Sequence, residues 1–146
     1  MKIKQEDLER WRSNTLKVAQ ALSFPETIVR MLKRVELKVI PEDSGRRFYG
    51  LADCWNHKIF VYQSNPSKYL PTNLREIWNQ SGMDHELVGH LGSYLMRKPC
   101  EEQDACTIQR RFIVERSKES GLWRVAKIVE PAVTGFRLIK NRKLYA

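Results

Sequence analysis

Cysteine, histidine and acidic residues are all in short supply in this chain of 146 residues, and each shortage excludes something. Three cysteines, Cys54, Cys100 and Cys106, are too few and too irregularly spaced for a disulfide framework. A reducing, cytoplasmic setting is therefore expected. Long apolar runs are missing too: the longest are a few residues, against the ~20 that cross a bilayer, so no membrane role is expected. The opening residues, Met1 to Asp7, contain no apolar stretch of the kind that marks a secretion signal. Repeats, low-complexity tracts and Gly/Pro-rich linkers are absent, which points to a single domain over residues 1–146. A chain of this length buries roughly 70% of the surface its unfolded form exposes, so neither metal nor disulfide is needed merely to fold. With 42% apolar and 29% charged residues the composition is that of a globular protein rather than a disordered one.

What is present divides by period. Leu8, Trp11, Thr15, Val18, Ala19 and Leu22 recur at helical spacing over residues 5–22. Ser23-Phe24-Pro25-Glu26 reads as the start of a second helix capped by Ser23 and running to about Lys33. Val35, Leu37 and Val39 then alternate with Glu36 and Lys38, a strand ended by Pro41. Residues 47–53 and 58–63 read as two more strands with a hairpin turn at Trp55-Asn56-His57. Residues 64–72 form a loop. Helical spacing returns from Asn73; Ser81-Gly82 either breaks that helix or opens a new one over residues 83–96, stopped by Arg97-Lys98-Pro99. Another helix spans about residues 100–117, and a last one runs from Leu122 towards Lys143, kinked at Pro131. The expected fold is α+β: N-terminal helices, a small antiparallel three-stranded sheet, then a helix pair and a C-terminal helix.

Two of the three histidines lie within six residues, in Asp84-His85-Glu86-Leu87-Val88-Gly89-His90. Glu102 stands twelve positions beyond His90. Hydrolytic zinc sites use three protein ligands and leave one position open, and two imidazoles with a carboxylate from the next helix make such a set. A Glu beside the first His is placed to take a proton from water. The spacing conflicts with a regular helix. At about 100° per residue, positions five apart differ by about 140° and face different ways. One i→i+5 turn removes the conflict, and Gly89 tolerates it. Metal binding by these histidines therefore requires a bulged helix. Helix phase alone does not decide between Glu101 and Glu102 as the carboxylate ligand.

His85-Glu86-Leu87-Val88-Gly89-His90 resembles the His-Glu-x-x-Gly-His motif of the dipeptidyl peptidase III family of zinc metallopeptidases. Glu101-Glu102-Gln103-Asp104-Ala105 is similar to that family's second motif, Glu-Glu-x-x-Ala followed by an acid; here position 106 is Cys. The resemblance covers about eleven of the 146 residues, in a chain far smaller than those enzymes. It implies a minimal gluzincin-like core with zinc on His85, His90 and Glu102, Glu86 as the base, and Glu101 supporting the ligands without touching the metal. It further implies an edge strand ahead of the metal helix that aligns a peptide substrate, and residues 58–63 are placed to be that strand.

The remaining candidates are more open. His57, Tyr62, Tyr94 and Arg110 or Arg111 are all conceivable donors to a developing oxyanion, and spacing selects none of them. Cys100 and Cys106 are alternative soft ligands for a structural zinc, although six apart is wide for a thiolate pair. Cys54 reads as a small buried strand residue. Leu87, Leu91 and Leu95 read as core. The net charge of +9 is concentrated late: residues 105–146 hold ten basic and three acidic residues. Such a run suits an acidic partner or nucleic acid, though no nucleic-acid-binding signature accompanies it. The expected activity is a zinc-dependent hydrolase, a small metallopeptidase acting on peptides or proteins. The competing expectation is a basic binding module whose metal is structural or absent.

Overall fold

The computed structural model describes residues 2–41, 49–63 and 65–127. Helix α1 (Gln5–Ala21) starts where the Lys4 backbone N–H donates to Asp7 Oδ2 at 2.8 Å, and it buries Leu8, Trp11, Thr15, Leu16 and Ala19 along one stripe. Ser23 does not cap the next helix. It ends α1 in the left-handed region (φ 62°), with its N–H on the Gln20 carbonyl and the Phe24 N–H on that of Ala19. These two bonds satisfy carbonyls that α1 would otherwise leave open, so the residue serves the preceding helix. Helix α2 (Glu26–Lys33) follows with Pro25 at its N-cap and buries Ile28, Val29 and Leu32.

The sheet holds β1 (Glu36–Ile40), β2 (Gly50–Asp53) and β3 (Lys58–Tyr62) in the order β1-β3-β2. β2 and β3 form the expected antiparallel hairpin, with Gly50 opposite Val61 and Asp53 opposite Lys58. The turn is held by Asp53, whose carboxylate accepts from the Asn56 backbone and side chain at 3.2 and 2.9 Å, and His57 takes a left-handed φ of 54°. β1 instead runs parallel to β3, from Glu36 opposite Lys58 to Ile40 opposite Tyr62. The sheet is therefore mixed rather than antiparallel. The expectation of an edge strand at residues 58–63 also fails: β3 is central, and both its flanks are occupied by backbone pairing. Of the two described edges, β1 packs on α1 and β2 packs on the segment carrying the histidines.

After a short 3-10 turn (Pro66–Tyr69), helix α3 (Thr72–Met83) continues without a break into a π-helix (Asp84–Gly92) and then α4 (Ser93–Leu95). Ser81-Gly82 does not interrupt it. Gly82 sits inside the helix because the Tyr49 ring lies against it, where an added Cβ would come within 2.3 Å of Cγ. Arg97, at φ 56°, ends this long helix as Ser23 ends α1, and α5 (Glu102–Ser117) folds back along the π-helix. Residues 121–127 are helical again; the continuation expected towards Lys143 and the kink at Pro131 lie outside the described residues. Trp11, Ile59, Val61, Leu87, Leu91 and Phe112 are among the fully buried side chains joining α1, sheet, π-helix and α5. Each is worth about 1.5–3 kcal/mol of burial. The α+β architecture is thus one in which the rarest helix type occupies the middle of the core.

Candidate metal centre

The i→i+5 turn that the histidine spacing requires is present, and it extends over all of Asp84–Gly92. His85 and His90 consequently fall on one side of the helix, with ring centroids 4.9 Å apart and planes at 76°. Both Nε2 atoms meet the same carboxylate: His85 Nε2 is 2.9 Å from Glu102 Oε1, and His90 Nε2 is 3.1 Å from Glu102 Oε2. One ligand atom from each of the three residues lies within 4.8 Å of the others. A tetrahedral ion with bonds of about 2.0–2.2 Å holds neighbouring ligand atoms about 3.3–3.6 Å apart. The two nitrogen–oxygen contacts are shorter than that and the three ligand atoms lie within 4.8 Å of one another, so small side-chain shifts would bring them to one ion; two imidazoles with a carboxylate suit zinc, and the residues fit the group.

Two small residues set the distance between the two helices. A Cβ added at Gly89 would stand 2.8 Å from both Cα and Cβ of Ala105. The π-helix and α5 therefore touch almost backbone to backbone at this point. Glu102 lies one turn of α5 before Ala105, close enough for its carboxylate to reach both rings. Glu102 rather than Glu101 is the residue that faces them. Glu101 is exposed at the N-cap of α5, where its backbone N–H donates to Asp104 Oδ2 at 3.0 Å. Its place is that of a helix-capping acid rather than a support for the ligands.

Each ring is also held by its other nitrogen. His90 Nδ1 lies 2.7 Å from the Cys100 carbonyl oxygen, which can only accept, so Nδ1 carries a proton and Nε2 is the nitrogen turned to Glu102. His85, fully buried, places Nδ1 3.1 Å from Gln109 Oε1. Burial works to lower the His90 pKa, but the hydrogen bond to Glu102, the charge of Glu86, the Cys100 carbonyl and the charge of Glu102 outweigh it and leave it raised. Glu86 is itself a buried carboxylate. Its charge also acts on Cys54, whose thiol is pushed up to about 11 by burial first, then by Cys100, Glu86 and Asp53. Glu86 therefore lies close to both the π-helix ligands and the end of β2.

The cysteines take no part in the cluster. Cys106 Sγ is 4.0 Å from His85 Nδ1, the nitrogen turned away from Glu102, and Cys100 contributes its carbonyl. Cys54 is half-buried in the turn after β2, not a buried strand residue. Among the oxyanion candidates, His57 is exposed on the hairpin turn, Arg111 is exposed and stacked on the Phe24 ring at 5.6 Å, and Tyr62 and Tyr94 are half-buried. None of them is singled out by this placement.

Sequence reasoning missed two supports. Gln109, buried on α5, both meets His85 and donates from Nε2 to the Ser81 carbonyl at 3.1 Å. Asp84, fully buried, accepts from both Arg116 guanidinium nitrogens and from the Thr15 hydroxyl at 2.7 Å, tying the π-helix to α5 and α1. Arg116, counted with the basic run, is thus committed to the interior. A signal existed for Gln109 and for Arg116, the partner of Asp84. Ala105, Gln109, Phe112 and Arg116 recur at helical spacing on α5, so two polar residues stand on an otherwise apolar stripe. Of the basic run, Arg137, Lys140, Arg142 and Lys143 lie outside the described residues. The chain matches no protein-family model, and no curated protein or solved structure matches it either. The motif resemblance to dipeptidyl peptidase III enzymes accordingly rests on the quoted residues alone.

Proposed function

We propose that the protein is a zinc-dependent hydrolase, a small metallopeptidase acting on peptide or protein substrates. The observation that carries this reading is the meeting of His85 Nε2, His90 Nε2 and the Glu102 carboxylate at 2.9 and 3.1 Å across a π-helical turn. π-helical segments are rare and occur mainly at functional sites. Zinc, when bound, acidifies water and polarises a carbonyl. His85, His90 and Glu102 are the residues that hold it. Glu86 is the base: its carboxylate accepts the proton of the attacking water and returns it to the leaving amine. That carboxylate is buried, away from bulk water. A peptide lies along β2, an edge strand among the described residues and beside the π-helix, with exposed Leu51 on the strand and exposed Trp55 in the turn after it.

The test is metal analysis joined to one substitution. Protein purified without chelators is expected to carry about one zinc per chain. Glu86→Gln keeps that zinc and loses peptide hydrolysis. A metal-free wild-type protein that also fails to take up added zinc removes the reading. Salt-dependent binding of nucleic acid that is indifferent to zinc and to Glu86→Gln would put a basic binding module in its place.

A further inference from the structure

We infer that Gln109 is a positioning residue for the metal centre: its neutral amide fixes the tautomer of His85 and turns the Nε2 lone pair towards Glu102. This inference rests on the metal reading above. It starts from an amide that has only one workable orientation. Gln109 is buried, and one end of its side chain faces the Ser81 carbonyl at 3.1 Å while the other faces His85 Nδ1 at 3.1 Å. A carbonyl only accepts, so the NH₂ end must point to Ser81 and the oxygen must point to the ring. That oxygen also only accepts. Nδ1 therefore carries a proton, and Nε2, 2.9 Å from Glu102 Oε1, is the nitrogen left to take a metal or a second proton.

The Cys100 carbonyl does the same for His90, so each imidazole turns its Nε2 to the Glu102 carboxylate. With Nδ1 occupied in both rings, a metal or a proton shared with Glu102 must sit at Nε2, and Gln109 imposes this condition on His85. The backbone supplies the equivalent for His90.

The chemistry of this support is specific. A carboxylate at the far nitrogen would draw the Nδ1 proton away and make the ring a stronger donor to metal. Here the partner is a neutral amide, and Cys106, where the motif resemblance expects an acid, stands 4.0 Å from the same nitrogen. His85 is thus oriented by a neutral group, next in the chain to the buried acid Glu86.

Gln109→Met keeps the length of the side chain and removes the amide; Gln109→Glu keeps an acceptor for Nδ1. Two measurements are needed. The first is the nitrogen spectrum of the histidine rings in metal-free protein, taken above the imidazole titration range. Wild type is expected to show His85 protonated on Nδ1. Gln109→Met is expected to lose that pattern at His85 and keep it at His90, an internal control for folding. The second is zinc affinity by competition with a chromophoric chelator. Gln109→Met is expected to bind about 10–100-fold more weakly, and Gln109→Glu within a few-fold of wild type. An unchanged His85 tautomer in Gln109→Met, or an unchanged zinc affinity, overturns the inference. If Gln109→Met does not fold, a Gln109→Glu protein as weak for zinc as a ligand-deleted His85→Ala protein overturns it. Wild-type protein that binds no zinc while its His85 tautomer still follows Gln109 sinks the metal reading and not the orienting contact.

Discussion

At the scale of single residues, the glycine and alanine of the two motifs explain each other. His-Glu-x-x-Gly-His and Glu-Glu-x-x-Ala are written as separate strings, but Gly89 and Ala105 are in contact, and that contact sets how far Glu102 stands from the histidines. Adding one methyl at Gly89 puts a Cβ 2.8 Å from the Ala105 backbone, which no side-chain rotation can relieve. Gly89→Ala is expected to cost about 1–3 kcal/mol in chemical denaturation, the usual range for overpacking. It should also weaken zinc binding, because the relief is a movement of α5 away from the rings. Ala105→Gly removes the opposing Cβ, and in the Gly89→Ala background it should recover part of both losses. A Gly89→Ala protein of unchanged stability would show that the helices are not held at this separation.

At the scale of elements, the π-helix is anchored from behind by a buried ion pair. Asp84 opens it and is fully buried, with both carboxylate oxygens on the Arg116 guanidinium and one also on Thr15. Gln80 extends the network, donating to the Thr15 hydroxyl and the Trp11 carbonyl, both at 2.9 Å. Arg116 in turn stacks on Trp123 at 4.7 Å. Removing one member of such a pair strands the other charge away from water. Arg116→Leu is therefore expected to cost about 3–5 kcal/mol of stability, whereas replacing both partners, Asp84→Leu with Arg116→Leu, should cost less than the single change. A single-variant loss below the double-variant loss would contradict this. The elements themselves were largely legible: side-chain period placed α1, α2, the hairpin and α5 within a few residues. Strand order was not legible, since alternation says which face a residue takes and nothing about which strand lies alongside. The π-helix was legible only through chemistry, because His85 and His90 can share a ligand only if the helix is widened. Gln109 and Arg116 were overlooked because Gln and Arg are mostly surface residues, and only their phase with Ala105 and Phe112 marked them as interior.

At the scale of the whole molecule, the candidate ligands belong to two elements brought together by folding, with the Met96–Glu101 connection between them. A metal held by all three clamps the π-helix to α5, and it binds the native chain far better than an unfolded one. Binding of this kind adds RT ln(1 + [L]/Kd) to stability, about 2.7 kcal/mol when free zinc is 100 times Kd. For a chain of this size that corresponds to a rise in Tm of roughly 5–11 °C. Glu86→Gln should show the full rise, because in the proposed mechanism Glu86 acts on the substrate side and not on the metal. His90→Ala and Glu102→Gln should show little of it, since each removes a ligand. Gly89→Ala should fall between, keeping all three ligands but setting them farther apart. This ordering separates a built metal centre from adventitious zinc on surface carboxylates, which would stabilise all five proteins alike. It also separates ligand loss from catalytic loss without any knowledge of the substrate, because Glu86→Gln and His90→Ala differ in Tm shift although both are expected to be inactive. Equal shifts in wild type and His90→Ala would remove zinc from the site and leave the π-helix of this chain in need of another function.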